Sequence, residues 1–438
     1  MPATVASCVV MRAIEDLTPC PHNPRTHPRA QIRRLTKSIR KFGFAGVISV
    51  NPEGMVIAGN ALLEAAIKAG LSEVPTICLE GFSPDEIRAF VIAANRTALD
   101  AGWDLELLRI EFQNLILNTD IDIELTGFEI GEIDIIIGAE PALDSSDDSI
   151  PVEKGPTVAR LGDVWRLLNH RIYCADARED YGPLMRTERA HTVWADPPYN
   201  CPIDGHAMGK GSIHHPDFAM ASGEMSREEF IEFLTAALSQ VARWTTLGSV
   251  HFVCMDWRNM FELLTAGEQV YDSLLNVCVW DKDKGGMGSL YRSEHELVFV
   301  FKNGKAPHRN NVQLGRFGRN RTNVWKYPGV NTASRSGDEG NLLALHPTVK
   351  PVAMIADALL DCSARGEIVL DPFLGSGSTL LAAERVGRIC YGIEIEPIYV
   401  DTAIARWQRL TGENAIHSQS GRTFNELREE VGCVGTEL

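Results

Sequence analysis

Glu367-Ile368-Val369-Leu370-Asp371-Pro372-Phe373-Leu374-Gly375-Ser376-Gly377-Ser378-Thr379 is the stretch that decides the fold. Its apolar run ends on an acid, passes into a glycine-rich turn and leads into residues that start a helix. Gly375 and Gly377 have no Cβ, so the backbone can turn tightly there and come close to a ligand. The free amides of the helix that follows favour a negative group. Glu394 lies nineteen residues beyond Gly375, at the end of the next apolar run, where an acid would hydrogen-bond ribose hydroxyls. Strand, turn, helix and acid in this register point to a nucleoside-containing cofactor. Leu380 stands where the dinucleotide fingerprint would have its third glycine, which weighs against NAD.

Outward from this unit, apolar strand-like runs alternate with helical spacing. The predicted strands are Arg171–Cys174, Thr192–Ala195, Ser249–Cys254, Asn276–Trp280, Glu296–Phe301, Glu367–Leu370 and Arg388–Ile393. Helices are predicted at Arg227–Arg243, Val352–Cys362, Thr379–Arg385 and Pro397–Leu410. Such alternation predicts an α/β fold, a doubly wound, mostly parallel sheet covered on both faces. Upstream, helical patterns at Gln31–Phe42, Ala61–Ala69, Pro84–Ala94 and Leu105–Leu117, with strands at Gly46–Asn51 and Met55–Ala58, predict a smaller α+β domain. The segment 138–156 is short of apolar mass and rich in Asp, Ser and Pro, and reads as an acidic linker. The expected order is a domain at 8–137, the linker, a domain at 157–412 and a tail at 413–438.

Asp196-Pro197-Pro198-Tyr199 follows the apolar strand Thr192–Ala195. At ordinary residue frequencies a chain of this length would hold this tetrapeptide by chance about once in a thousand, so its presence asks for a chemical reason. The two prolines stiffen the turn and cannot donate, which leaves their carbonyls as fixed acceptors. A carboxylate and a fixed carbonyl can both accept from one NH2 group while the tyrosine ring offers a stacking face. The exocyclic amine of a nucleobase is a poor nucleophile because its lone pair is delocalised into the ring. Two acceptors that draw its protons out of plane localise that lone pair.

The composition of the 438 residues, 45% hydrophobic and 23% charged, excludes a wholly disordered chain. No apolar run reaches the roughly 18 residues of a membrane span, and the N-terminus lacks the pattern of a secretory signal. The ten cysteines include no C-x-x-C pair, so spacing indicates neither a zinc site nor a disulfide framework, and they suit a reducing cytoplasm. The net charge of −16 taken alone argues against a polyanionic partner. Its distribution argues the other way. Acids are absent from Leu17 to Pro52, which holds Arg25, Arg29, Arg33, Arg34, Lys37, Arg40 and Lys41. They are absent again from Lys302 to Gly337, which holds Arg309, Arg316, Arg319, Arg321 and Lys326 among its basic residues. Trp325 and Tyr327 lie inside that second run, a suitable setting for base stacking.

Asp196–Tyr199 and Asp371–Gly377 together resemble the two defining motifs of S-adenosylmethionine-dependent DNA amino-methyltransferases, which modify adenine N6 or cytosine N4. The catalytic motif precedes the cofactor motif, which resembles the circularly permuted β group with its Rossmann-like sheet. The resemblance covers about 155–412. It implies catalytic roles for Asp196, Pro197, Pro198 and Tyr199. It implies cofactor contacts from Asp371, Phe373, Gly375, Ser376, Gly377, Ser378 and Glu394, from Asp176 near the adenine, and from Thr348 and Lys350 of His346–Pro351 at the methionine end. Residues 302–345 are the implied target-recognition segment, with Arg309, Arg316, Arg319, Arg321, Trp325 and Lys326 meeting DNA. No metal is implied. The DPPY form leans to adenine in the family; the alternatives are cytosine N4, or a DNA-binding protein carrying a dormant methyltransferase domain.

Upstream, Asn23-Pro24-Arg25, Ser38–Gly43, Val56–Gly59, Ala65-Ala66 and Asn95-Arg96 resemble the ParB-like N-terminal domain. Where that family places an arginine in its phosphate-binding turn, this chain reads Gly59-Asn60-Ala61-Leu62. The departure implies DNA binding or positioning, through Arg25 and Arg33, rather than nucleotide hydrolysis or nuclease activity. The resemblances imply double-stranded DNA as partner, no membrane, a cytoplasmic, nucleoid-associated location, and an open question of homodimer formation and of any restriction endonuclease. His206, His214 and His215 lie in the loop after the catalytic motif and could order around DNA.

Overall fold

The computed structural model describes residues 8–21, 23–97, 102–118, 121–138, 156–201, 221, 223–282, 290–315, 319–329 and 349–434. It divides into two compact units, Met1–Gly138 and Ala139–Leu438. The linker expected at 138–156 falls almost wholly outside the described residues.

In the first unit, strands β1 (Val9–Ala13), β2 (Ile48–Val50), β3 (Val56–Ala58) and β4 (Glu73–Cys78) form a sheet in the order β1-β4-β2-β3. Ile48, Val50, Val56 and Val74 bury one face beneath Leu63 and Ala66 of helix α2 (Asn60–Ala69). Ile32, Thr36 and Ile39 recur at helical spacing, so α1 (Arg29–Phe42) buries that stripe and packs on Ala65. Its exposed face carries Arg29, Arg33, Lys37 and Lys41, each four residues after the last. Helices α3 (Pro84–Thr97), α4 (Leu105–Asn118) and α5 (Ile130–Ile137) complete the unit. Asn60 is used locally, since its Oδ1 accepts from the Cys20 amide at 3.0 Å.

The second unit is built on a ten-stranded sheet. Its strands are β5 (Val164–Leu167), β6 (His170–Cys174), β7 (Ala190–Ala195), β8 (Thr245–Met255), β9 (Ser273–Asp281), β10 (His295–Lys302), β11 (Val324–Lys326), β12 (Ile368–Asp371), β13 (Ile389–Glu394) and β14 (Ile416–His417). Their spatial order is β11-β9-β10-β8-β7-β12-β13-β6-β5-β14. The central block β8-β7-β12-β13-β6 is parallel. Antiparallel pairs flank it on both sides, β10 with β8 and β9, and β5 with β6 and β14. The apolar runs of the central strands are buried on both faces, as a covered parallel sheet requires.

Helices α9 (Val352–Cys362), α10 (Ser378–Arg385) and α11 (Pro397–Thr411) pack in one buried cluster with Trp165, Trp194 and Val369. Helices α6 (Gly182–Met185), α7 (Arg227–Arg243) and α8 (Met260–Val270) pack in another with Val193, Val253 and Leu370. Ser226 and Glu229 form a reciprocal capping box that starts α7. The tail expected at 413–438 is a correction: it holds β14 and α12 (Phe424–Val434). Phe424 is 1% exposed and stacks edge-on against Trp165, so this amphipathic helix closes the cluster at the β5 edge. No helix of the described residues is long and apolar enough to cross a membrane.

Candidate active site

The two sequence motifs leave the sheet side by side. β12 and β7 are parallel neighbours, with Val369 opposite Thr192 and Leu370 opposite Val193. From β12 the chain winds through α10 to β13, and from β7 through α7 to β8 on the opposite side. The strand order therefore reverses between them, and ligands of such sheets bind at the carboxyl ends of strands at that reversal. Asp196–Tyr199 and Asp371–Ser378 both emerge there.

Asp196 is the centre of a buried charged network. Its Oδ2 accepts from Lys350 Nζ at 2.6 Å and its Oδ1 from the Tyr199 hydroxyl at 2.8 Å. Lys350 Nζ also lies 3.2 Å from Glu296 Oε2, and Tyr199 reaches that same oxygen at 3.2 Å. Lys282 donates to the other Glu296 oxygen. Two carboxylates and two ammoniums thus meet, with Lys350 and Glu296 buried and Asp196 and Lys282 half-buried, and the opposite charges balance as such burial demands. Burial raises the Asp196 carboxyl above its usual value, with Lys350 offsetting only part of the effect. Burial would also raise Glu296, but Lys350 and Lys282 outweigh it and hold that carboxyl down at about 2. Burial would lower the Lys350 ammonium; Asp196 and Glu296 outweigh that and keep it charged.

The loop beyond Tyr199 is clamped from two sides. Asn259 Nδ2 donates to the Tyr199 carbonyl at 2.7 Å. Asn200, at φ 50°, accepts from the Gly223 amide and donates to the Met225 carbonyl. Pro197 is buried and Pro198 half-buried.

On the cofactor side, Gly377 caps α10 at φ +89°, and a Cβ there would meet Ala403 Cβ at 2.8 Å. Glycine is required for both reasons. Asp371 accepts from the Phe373 amide at 2.9 Å, and burial pushes its carboxyl up to about 7. The Phe373 ring packs near Phe233 of α7. Glu394 accepts from the Gly375 amide and the Glu396 amide, each at 2.8 Å, and burial pushes it to about 7 as well. Asp176, just past the end of β6, is held in a two-pronged pair by Arg178, with Nη2 to Oδ2 at 2.6 Å.

Three expected cofactor contacts make other bonds within the domain. The Ser376 hydroxyl and carbonyl both accept from buried Arg406 of α11, at 3.0 and 2.7 Å, and Ser378 Oγ lies 3.5 Å from the same guanidinium. These serines brace the loop from beneath. Lys350, expected at the methionine end, has its ammonium on Asp196 instead. Thr348, Arg316, His206, His214 and His215 lie outside the described residues. The residues present fit S-adenosylmethionine: a glycine turn with Gly375 and Gly377 at positive φ, and carboxylates at the ends of neighbouring strands to accept from hydroxyl and amine groups and to attract a cation.

Three arginines of the second basic run are paired within the domain. Asp357 and Asp361 lie one turn apart on α9 and grip both Arg319 and Arg321 at 2.9–3.1 Å. Tyr327 donates to Asp357. Arg309 pairs with Glu367 at 3.1 Å. Trp325, expected to stack on bases, is 5% exposed in β11, and Trp280 is 3% exposed beside it. The pairing of Arg319 and Arg321 and the covered Trp325 ring differ from the DNA contacts expected of them. Acids absent from the local sequence arrive from α9, and an apolar ring on a covered strand goes to the core. Lys326 is exposed, as is Arg33 in the first unit, while Arg25 is half-buried. Among the described residues no group of three or more His, Cys, Asp or Glu could hold a metal ion.

Residues that sequence reasoning missed are Glu296, Lys282, Asn259 and Arg406. A buried-strand acid at Glu296 and an arginine, Arg406, within the apolar spacing of α11 were the available signals.

The profile of the DNA methylase family matches residues 190–405, and that of the ParB-methyltransferase HTH domain matches 106–161. The type II methyltransferase M.ScaI of Streptomyces caespitosus is 41% identical over 106 residues, 24% of this chain and 32% of the relative. The type II methyltransferase M2.DpnII of Streptococcus pneumoniae is 29% identical over 246 residues, 52% of this chain and 85% of the relative. The chain thus spans about a third of the first relative and most of the second. The crystal structure of an M1.HpyAVI–SAM complex aligns over 54% of this chain and 98% of its own at 20% identity, with a TM-score of 0.38. Residues 190–405 are thus similar to the N6/N4-type DNA methylases, and residues 106–161 to the ParB-methyltransferase HTH domain.

Proposed function

We propose that the chain transfers a methyl group to the N6 amine of adenine in double-stranded DNA. The observation that carries this reading is the Asp196–Tyr199 motif emerging at the strand-order reversal beside the Asp371–Ser378 loop. The DPPY form of the motif favours adenine over cytosine N4. S-adenosylmethionine, held at Gly375–Ser378 with Glu394 and Asp176, supplies a methyl group on a sulfonium that departs as a neutral thioether. Asp196 and the Pro197 carbonyl accept from the amine and localise its lone pair, and Tyr199 offers a face for the flipped base. As the N–C bond forms the amine loses a proton, and Asp196, with burial raising its affinity, is placed to accept it. Holding both reactants in line provides much of the acceleration.

The exposed stripe of Arg29, Arg33, Lys37 and Lys41 on α1 supports phosphate contact by the first unit. Nucleoside mass spectrometry of DNA from cells expressing the chain tests the target base. N6-methyldeoxyadenosine is the expected product; N4-methyldeoxycytidine would transfer the reading to cytosine.

A further inference from the structure

Both oxygens of Asp196 already have partners, Lys350 on Oδ2 and Tyr199 on Oδ1. The Lys350 ammonium also stands 5.4 Å above the centre of the Tyr199 ring. A cation thus occupies both features that the proposed function assigns to the target base: the carboxylate that receives its amine and the ring on which it stacks. The amine of a base arriving at Asp196 Oδ2 competes with Lys350 for that oxygen. A destination is close by. Glu296 Oε2 is 3.2 Å from the same nitrogen, and the neck of the β9–β10 hairpin holds Glu296 in place through Lys282.

We propose that Lys350 is a placeholder: its ammonium holds Asp196 ionised and oriented until the target amine arrives, then passes to Glu296. This rests on the reading of Asp196 as the acceptor of that amine. Lys350 and Glu296 are then positioning residues that act through Asp196. The transfer costs little because the ammonium keeps a carboxylate partner at each end. The charged and titratable groups facing Asp196 are Lys350, Glu296 and Tyr199, with the Cys254 thiol on β8, Asp371 on β12, and Lys282 behind Glu296.

The test measures kcat/KM against pH with unmethylated plasmid DNA and tritiated S-adenosylmethionine, with cofactor affinity measured separately by calorimetry. Lys350→Met leaves two facing carboxylates without their shared cation, so the acidic limb of the profile moves up by about one unit or more. Adding Glu296→Gln removes the second negative charge and moves the limb back; Lys350→Arg leaves it near the wild type. Glu296→Gln alone deprives the ammonium of its second site and lowers kcat roughly ten- to a hundredfold, with cofactor affinity unchanged. A readout independent of activity is the pH dependence of Tm. Lys350→Met stability falls more steeply than wild type from pH 5 to 8, because the paired carboxyls are raised and lose stability as they ionise, and the double variant recovers. An unmoved limb together with an unchanged Tm slope overturns the proposal. So does a loss of cofactor affinity matching the loss of turnover, which would return Lys350 to the methionine end. Cytosine N4 as the product leaves the proposal standing, since the same exchange serves either amine; wild-type protein without transfer sinks the function reading, and the Tm slopes then judge the Asp196–Lys350 coupling by themselves.

Discussion

Glu394→Gln separates what Glu394 does for function from what it does to stability. Glu394 is 8% exposed, and burial lifts its carboxyl from the usual 4.5 to about 7. A carboxyl raised on folding holds its proton more tightly in the folded state. Its contribution to stability is therefore complete below the unfolded value and is lost as pH rises through about 7. At about 1.4 kcal/mol per unit, the wild type loses about 2–3 kcal/mol from this group between pH 5 and pH 8. Glutamine is a neutral isostere and carries no such loss. At pH 5 the two proteins have similar stability; at pH 8 the variant is the more stable, by about 5 °C or more in Tm at about 2–4 °C per kcal/mol. Asp371 is raised to about 7 by the same cause, so the variant retains part of the slope. Calorimetry of the cofactor-free proteins across this range is the assay. Parallel Tm curves would refute the claim that Glu394 is buried at a cost in stability. In the same variant cofactor affinity falls, as the assigned role requires.

The two basic runs give opposite expectations. Arg33→Ala, on the exposed stripe of α1, leaves the unfolding free energy within about 0.5 kcal/mol of the wild type, and it weakens DNA binding while reducing the slope of log K against log salt by about one. Arg321→Ala leaves that slope unchanged but destabilises by roughly 3 kcal/mol, because Asp357 and Asp361 lose a buried partner. Urea unfolding and a salt titration of DNA binding distinguish the two.

Local patterns carried most of the fold. The strand–turn–helix at Glu367–Thr379 and the apolar run before Asp196 are legible because their signals lie within a dozen residues. Their meeting at one crevice followed from how doubly wound sheets reverse direction. Pairings across long sequence separations were not legible. Lys350 and Asp196 are 154 positions apart, and nothing local to either marks the contact. The stretch from Lys302 to Gly337 is acid-free in sequence yet not in space, because α9 brings Asp357 and Asp361 to its arginines. Phe424 and Leu427 supply too thin an apolar stripe to separate α12 from a solvated tail. The first basic run differs from the second: Ile32 and Ile39 turn inward and leave Arg29, Arg33 and Lys37 outside. The net charge of −16 summed over these unlike surfaces and described none of them.

The central claim is that Asp196 acts on the base and not on the methyl donor. Comparing Asp196→Ala with the wild type for methyl transfer to DNA and for S-adenosylmethionine affinity, on the same preparations, tests it most directly. The account predicts that transfer disappears while cofactor affinity stays nearly intact. Transfer that persists, or cofactor affinity lost in step with it, would contradict the account.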